Sequence, residues 1–270
     1  MRSHYGPEMN EIDVAMIGGG NMGAALLGGM LASGEYDAAS LAVVEQLEAR
    51  RAQLVELFPG VEVAAVAPPC AAAVIAVKPD GVADAVRGAV AAGARRILSI
   101  AAGVTLAALD AAAGPGVAVV RAMPNTPALV GLGAAAIAGG ATASDDDLAW
   151  AEGILGSVGI VERLDEASLD AFTGVAGSGP AYVFLFAEAL TEAAVAEGIE
   201  PDVAERVVAQ LLLGASTLLD RDRDPARLRR NVTSPGGTTA AGLARFDAHD
   251  LRGTVADAVA AATARSRELG

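Results

Sequence analysis

The sequence predicts an α/β fold, a doubly wound parallel sheet followed by an all-helical second half, and three observations carry that prediction. From Ile12 onward, short apolar runs alternate with helix-length segments, the pattern of strands joined by crossover helices. The first run empties into a glycine turn, G-G-G-N-M-G at Gly18 to Gly23. Beyond Asp165 the strand signal stops and long stretches of helical periodicity replace it. The 270 residues then divide into a disordered extension over 1–11, a dinucleotide-binding domain of Rossmann type over 12–164, and a helical substrate and dimerisation domain over 165–270.

In chain order, the strand-like runs are Ile12–Ile17, Ser40–Glu45, Ala73–Val77, Arg96–Ile100, Val117–Arg121 and Ala134–Ala138. Between most of them lie the helix-like segments Asn21–Ser33, Leu47–Leu57, Asp80–Ala92, Thr105–Ala113 and Ser144–Leu155. Ser144 is followed by Asp145, Asp146 and Asp147. A serine cap and three carboxylates suit a helix N-terminus, where they meet the positive end of the dipole, better than a metal site. In the second half, helices are expected over Pro180–Glu197, Pro201–Asp220, Thr238–Phe246 and Leu251–Leu269. Pro180, Pro201 and Pro225 fall where a first turn tolerates proline, and Ser178 is placed to cap the first of these helices. Stretches such as Tyr182–Phe186 and Val207–Leu213 are apolar around more than one face. A small bundle cannot bury that much alone, so a second subunit is expected to cover it.

Composition removes several function classes. A net charge of −14 opposes any general attraction to nucleic acid or to an anionic membrane. No long uncharged apolar stretch and no signal-peptide core is present, so a soluble, cytoplasmic protein is expected. One cysteine, Cys70, allows no intrachain disulfide, and two histidines far apart, His4 and His249, disfavour a metal site or a serine-histidine triad. Lys78 is the sole lysine. Anionic ligands must therefore be held by local amides and single cations.

The chemistry-bearing residues cluster in loops. Gly18 permits a tight turn, Gly20 lets a pyrophosphate approach the backbone, and Gly23 lets the next helix pack close, the G-x-G-x-x-G logic. Free amides and the helix dipole then face the phosphates. Glu45 closes the second strand 22 residues beyond Gly23. A carboxylate there accepts hydrogen bonds from the adenosine ribose and repels a 2′-phosphate, which argues for NADH. Arg50 and Arg51 follow within reach and argue for NADPH, so the choice stays open. Lys78 in A-V-K-P, Ile100-Ala101-Ala102 and the loop R-A-M-P-N-T-P at Arg121–Pro127 sit at strand ends along the same carboxyl edge. The second half adds Gly174–Ala181 and Asn231–Thr239, each opening a helix. In the latter, two glycines and two threonines at a helix start offer successive amides and hydroxyls for a carboxylate.

Together, I-G-G-G-N-M-G, A-V-K-P, R-A-M-P-N-T-P, G-S-G-P-A-Y and T-S-P-G-G-T-T closely resemble the Δ1-pyrroline-5-carboxylate reductases, enzymes of proline biosynthesis. The motifs run in the family's order from Ile12 to Leu269. The resemblance implies NAD(P)H-dependent reduction of 1-pyrroline-5-carboxylate to L-proline, the final step of that biosynthesis. It places Ile17, Gly18, Gly19, Gly20, Asn21 and Met22 around the cofactor pyrophosphate, with Gly23 closing the turn. Ala76, Val77, Lys78, Pro79, Ile100, Ala101 and Ala102 would line the rest of the dinucleotide, and Asn231 would meet it from the helical domain. Ser234, Gly237, Thr238 and Thr239 would hold the substrate carboxylate, with Thr239 also bonding the ring nitrogen as the catalytic hydroxyl. Glu166 corresponds to an acidic residue near the substrate in relatives. The resemblance further implies a homodimer, which in the family often assembles into a decamer. Glu45 departs from the pattern, because NADPH-preferring relatives often carry small or basic groups there.

Reduction of a ketone at neutral pH calls for a positioned acid such as His or Lys, worth roughly 10² to 10⁴ in rate. None is evident in the second half. A cyclic imine is basic enough to enter as its iminium, so a threonine hydroxyl and geometry suffice. Two rival readings differ in testable ways. A β-hydroxyacid dehydrogenase uses a lysine in its helical domain, and this chain has none after Lys78. A non-catalytic dinucleotide-binding redox sensor would bind the cofactor without consuming it when pyrroline-5-carboxylate is added.

Overall fold

A computed structural model describes residues 12–270, so the extension expected over 1–11 lies outside the described residues. Two compact units are present. Of the described residues, 12–177 and Ala262–Gly270 form one, and Ser178–Ala261 form the other. The strand pattern ends near residue 164, whereas the sheet unit extends further because later side chains are tied to it. Leu169 is fully buried in its core, Asn125 Nδ2 donates to the Ala176 carbonyl at 3.0 Å, and Ser266 Oγ donates to Asp170 at 2.7 Å.

The sheet unit contains β1 Ile12–Ile17, β2 Leu41–Val44, β3 Glu62–Ala64, β4 Cys70–Ile75, β5 Arg96–Ser99, β6 Ala118–Met123, β7 Gly133–Gly139 and β8 Gly159–Arg163. They form one sheet in the order β3-β2-β1-β4-β5-β6-β7-β8. Every neighbouring pair is parallel except β6 and β7. The reversal has a local cause: only a short turn, Thr126–Val130, joins β6 to β7, and a parallel return needs a crossover long enough for a helix. The helices α1 Asn21–Ser33, α2 Glu48–Leu57, α3 Val82–Ala91, α4 Leu106–Ala113, α5 Asp145–Gly156 and the short α6 Leu169–Phe172 complete the unit. Two apolar layers result. Ala15, Ile75, Ile97 and Val119 pack with Val86 and Leu109, while Met16, Val74, Leu98 and Ile137 pack with Leu26, Leu54 and Ile154. Each of the larger of these side chains contributes about 1.5–3 kcal/mol by leaving water.

Strands β3 and β8 are absent from the pattern read in the sequence. Both are short edge strands with half-exposed side chains, so neither shows the continuous apolar run of a central strand. Strand β4 begins three residues before the expected Ala73, at Cys70, which pairs with Ile12.

The cap expected at Ser144 is present as a reciprocal capping box. Asp147 accepts from the Ser144 amide at 2.8 Å and from its hydroxyl at 2.6 Å, and Arg96 Nε donates to Asp147 at 2.5 Å. Burial alone would raise the Asp147 carboxyl pKa. The Ser144 bonds and Arg96 outweigh it and hold the group below its ordinary value. A depressed folded-state pKa means stability that is present above the ordinary carboxylate range and lost as pH falls through it. Asp147→Asn is therefore expected to cost about 1–2 kcal/mol in urea unfolding at neutral pH, with the gap to the parent narrowing below about pH 4.

The second unit is helical: α7 Gly179–Ala196, α8 Pro201–Asp222, α9 Pro225–Asn231, α10 Thr238–Ala248, and α11 Leu251–Leu269 as far as Ala261. Pro180, Pro201 and Pro225 all lie in first turns. The capping role expected of Ser178 is corrected. It precedes α7 in a helical backbone conformation and its side chain makes no capping bond, because the chain enters α7 from a wide helical turn over Thr173–Gly177 rather than from an extended segment. No residue of α7 is buried, and Phe184 and Leu185 are 61% and 65% exposed. On α8 only Ala204 and Val208 are buried, with Val207, Leu211 and Leu213 open. So much apolar surface marks an interaction face. No helix among the described residues is long and apolar enough to cross a membrane.

Candidate active site

In the sheet unit, the end of β1 and the start of α1 form a cradle that admits no side chains. Gly18 has φ +112°, in the left-handed region, and a Cβ there would sit 2.5 Å from the Ala76 carbonyl oxygen. A Cβ on Gly23 would strike the Gly18 carbonyl, and one on Gly19 would strike Leu54 Cδ1. Gly20 is different. Nothing lies within 4 Å of its Cβ position, and it precedes α1 without any side-chain cap. The unsatisfied amides of the first turn and the positive dipole end thus open onto space. This shape fits the pyrophosphate of a dinucleotide.

The cleft beside it has a volume of about 660 Å³. Ile17, Gly18, Gly20, Glu45, Ala76, Val77 and Lys78, all singled out from sequence, line it. Gly19, Asn21, Met22, Gly23, Pro79 and Ile100–Ala102 do not. Gly19 and Gly23 shape the turn from behind, and Ala101 is buried in the core while Ala102 is exposed. Sequence reasoning missed Val44, Gln46, Leu47, Gly81, Asp84 and Ala85. Leu47 is 69% exposed, an apolar shelf at the mouth, and its only signal was a large aliphatic residue just before a helix with no core to enter.

Glu45 is held by two amides. Oε2 accepts from Gly19 at 3.2 Å and Oε1 from Leu47 at 2.9 Å. Arg50 and Arg51 are already engaged with this loop. Arg50 Nε donates to the Gly19 carbonyl at 2.8 Å, and Arg51 NH1 donates to the carbonyls of Glu45 and Gln46 at 2.9 and 2.7 Å. The carboxylate therefore faces the cleft, and the two guanidinium groups brace the loop.

Glu166 is bound on its own side of the chain. Its Oε1 accepts from Arg121 NH1 at 2.7 Å and from the Leu106 amide, the first of α4, at 2.6 Å. Arg121 is 7% exposed at the carboxyl end of β6. The pair was invisible in the sequence because 45 residues separate its members. Asn125, in the P-N-T-P loop, turns inward: besides bonding Ala176 it accepts from the Ala134 amide at 2.8 Å, so it braces the fold.

In the helical unit, Asn231 ends α9 and the T-S-P-G-G-T-T loop leads into α10. Gly237 precedes α10 without a side-chain cap, and its own amide donates to the Ser234 carbonyl at 3.1 Å. Gly236 has φ +70°, so this turn favours glycine there, and a Cβ on Gly237 would crowd Ser234 Oγ at 2.5 Å. Asn231, Ser234, Thr238 and Thr239 are exposed. The result is a surface of uncapped amides beside three hydroxyls, suited to a carboxylate. His249 caps the far end of α10, about 15 Å along the axis from Thr239. Among the described residues no group of three or more potential metal ligands occurs.

A glycine cradle on a doubly wound sheet, followed by a helical unit with an uncapped, hydroxyl-rich helix start, fits a dinucleotide-dependent oxidoreductase. A family profile described as NADP oxidoreductase, coenzyme F420-dependent, matches residues 13–103, and one described as pyrroline-5-carboxylate reductase dimerisation matches residues 166–269. The chain is 40% identical over 267 residues to a pyrroline-5-carboxylate reductase of Synechocystis sp., covering 96% of this chain and 98% of the relative. It is 41% identical over 264 residues to that of Pseudomonas aeruginosa, with coverage of 95% and 96%. The structure of a pyrroline-5-carboxylate reductase from Coxiella burnetii is similar with a TM-score of 0.89 at 32% identity, covering 97% of this chain and 99% of that one. That of Plasmodium falciparum, with NADP bound, gives 0.81 at 28% identity, covering 97% and 99%. The chain belongs to the pyrroline-5-carboxylate reductase family, and its helical half is a dimerisation domain.

Proposed function

We infer that this chain catalyses NAD(P)H-dependent reduction of 1-pyrroline-5-carboxylate to L-proline, the final step of proline biosynthesis, in the cytoplasm. The observation that carries the reading is a glycine cradle open at Gly20 in a chain whose full length matches the reductases at about 40% identity. The reduced nicotinamide, when bound, supplies a hydride. The protein's residues then have three tasks. The amides around Gly20 and the α1 N-terminus hold the pyrophosphate, with Ala76–Pro79 and Ile100–Ala102 along the dinucleotide and Asn231 meeting it. Ser234 and the amides and hydroxyls at Gly237, Thr238 and Thr239 hold the substrate carboxylate. The Thr239 hydroxyl bonds the ring nitrogen and orients the imine carbon, while Glu166 lies near the substrate with one oxygen committed to Arg121 and Leu106. The open apolar surface of α7 and α8 is covered by a second copy, and such dimers assemble further into a decamer.

The test is loss of reduced-nicotinamide absorbance on adding pyrroline-5-carboxylate, run with NADPH and with NADH. Turnover with either supports the reading. Cofactor binding without turnover identifies a sensor instead. Because the Glu45 carboxylate faces the cleft, it repels a 2′-phosphate and accepts from ribose hydroxyls. Glu45→Ser is expected to shift the NADPH-to-NADH ratio of kcat/KM about tenfold or more toward NADPH. An unchanged ratio places the ribose contact elsewhere.

A further inference from the structure

A second cleft, of about 550 Å³, opens at the opposite edge of the same sheet. Its floor is the amino-terminal ends of β1, β4 and β5, far along the strands from the glycine cradle, and its walls are the turn after α1 and the first turns of α5. Nothing in the reductase reaction uses it.

Its polar wall is fixed before any ligand arrives. Tyr36 and Trp150 both line it, and the Arg96 guanidinium lies 5.8 Å from the centre of the Trp150 ring. Arg96 Nε is anchored on the buried Asp147, itself locked in the capping box, and the terminal nitrogens of the fork have no hydrogen-bond partner among the described residues. The same cleft is lined by two acidic residues, Asp13 and Glu35, that make no ion pair among the described residues. Burial raises the Tyr36 phenol pKa, Glu35 and Asp13 raise it further and Arg96 opposes them, so all three charges are felt at that phenol. Glu35 is within contact of α5 at Gly153, where no side chain obstructs it.

A cleft that presents an ordered guanidinium fork and unpaired carboxylates, held apart rather than neutralising each other, matches a ligand carrying both charges. The Trp150 ring in the same lining matches a compact apolar body. We propose that this cleft is a binding site for a small zwitterionic amino or imino acid. The carboxylate lies on Arg96, the ammonium between Asp13 and Glu35, and the aliphatic part against Trp150. The site is independent of the dinucleotide cleft and stands whether or not the reductase reading does.

Trp150 is the only tryptophan, so intrinsic emission reports on this cleft. The purified full-length protein is titrated with L-alanine, L-proline, acetate and pyrrolidinium. L-Alanine is not a product of the proposed reaction and so separates this site from the active site. The two half-charged probes each lack one end of the zwitterion. Saturable emission changes are expected with both amino acids and not with acetate or pyrrolidinium. Glu35→Gln is expected to raise the half-saturating concentration of L-alanine about fivefold, with the reductase kcat unchanged. Asp13→Asn gives a second, independent variant at the same end. No saturable change with L-alanine, an equal response to acetate or pyrrolidinium, or titrations unaltered in both variants would overturn the proposal.

Discussion

Replacing Thr239 by alanine is expected to lower kcat by about 10² to 10⁴, with little change in cofactor affinity. The size follows from the absence of any substitute. Lys78, the sole lysine, lines the cleft at the glycine turn, and His249 sits at the opposite end of α10. The Thr239 hydroxyl makes no bond within the chain's described residues and stands at an uncapped helix start. Its loss therefore removes a ligand contact without unpairing a protein partner, and folding should be unaffected. Thr239→Ser keeps the hydroxyl and should recover most of the rate, which separates hydrogen bonding from packing of the methyl group. Steady-state kinetics with a parallel nicotinamide-binding titration gives both readouts. Turnover unchanged in the alanine variant would remove Thr239 from the mechanism.

Glu166→Ala is expected to destabilise the protein by about 2–4 kcal/mol in urea unfolding. The reason lies in what the side chain leaves behind. Arg121 is buried at the end of β6, and its NH1 would lose its carboxylate, while the first amide of α4 would lose its acceptor. Removing one member of such a pair costs more than the pair contributes, because the remaining charge stays out of water. Glu166 is itself partly open to solvent, which keeps the figure below that of a fully buried pair. Glu166→Gln retains acceptance from both donors and should recover part of the stability. Comparing the two variants separates structural from substrate roles. Activity lost in the glutamine variant at near-parent stability belongs to the substrate, and activity lost only in the alanine variant belongs to the fold.

Much of the architecture was legible because its determinants are local. The glycine spacing at Gly18, Gly20 and Gly23 encodes a steric requirement within a few residues, and the structure displays it as positions that exclude a Cβ or leave it in open space. Prolines at helix starts and the Ser144 box are local in the same sense. What escaped is long-range or depends on absence. The reversal of β7 follows from a missing crossover helix, and β3 and β8 draw their strand character from neighbours rather than from their own half-exposed side chains. The Arg121–Glu166 pair and the double bond of Asn125 join segments brought together only by the sheet. Ser178 shows the converse: a capping residue beside proline is a helix-start signal, yet the preceding turn is already helical and the signal has no amide to satisfy.

For the candidate site the division is similar. Part of the cleft at the glycine turn was legible, since Ile17, Glu45 and Ala76 to Lys78 lie at or just beyond strand ends that the pattern located. The apolar shelf at Leu47 and the engagement of Arg50 and Arg51 with backbone carbonyls could not, because both depend on how the loop after β2 folds back on the glycine turn. That arrangement also weights the cofactor question, leaving Glu45 as the charged group of this loop that faces the cleft.

The central claim is that the chain reduces the carbon–nitrogen double bond of a cyclic imine by direct hydride transfer. Its most direct test is a single-turnover incubation of the enzyme and pyrroline-5-carboxylate with nicotinamide cofactor deuterated at C4, in ordinary water, followed by mass spectrometry of the product. The account predicts L-proline carrying one deuterium at C5 when the transferred face is labelled, and none when the other face is. Unlabelled proline from both cofactor samples, or no proline at all, would contradict it.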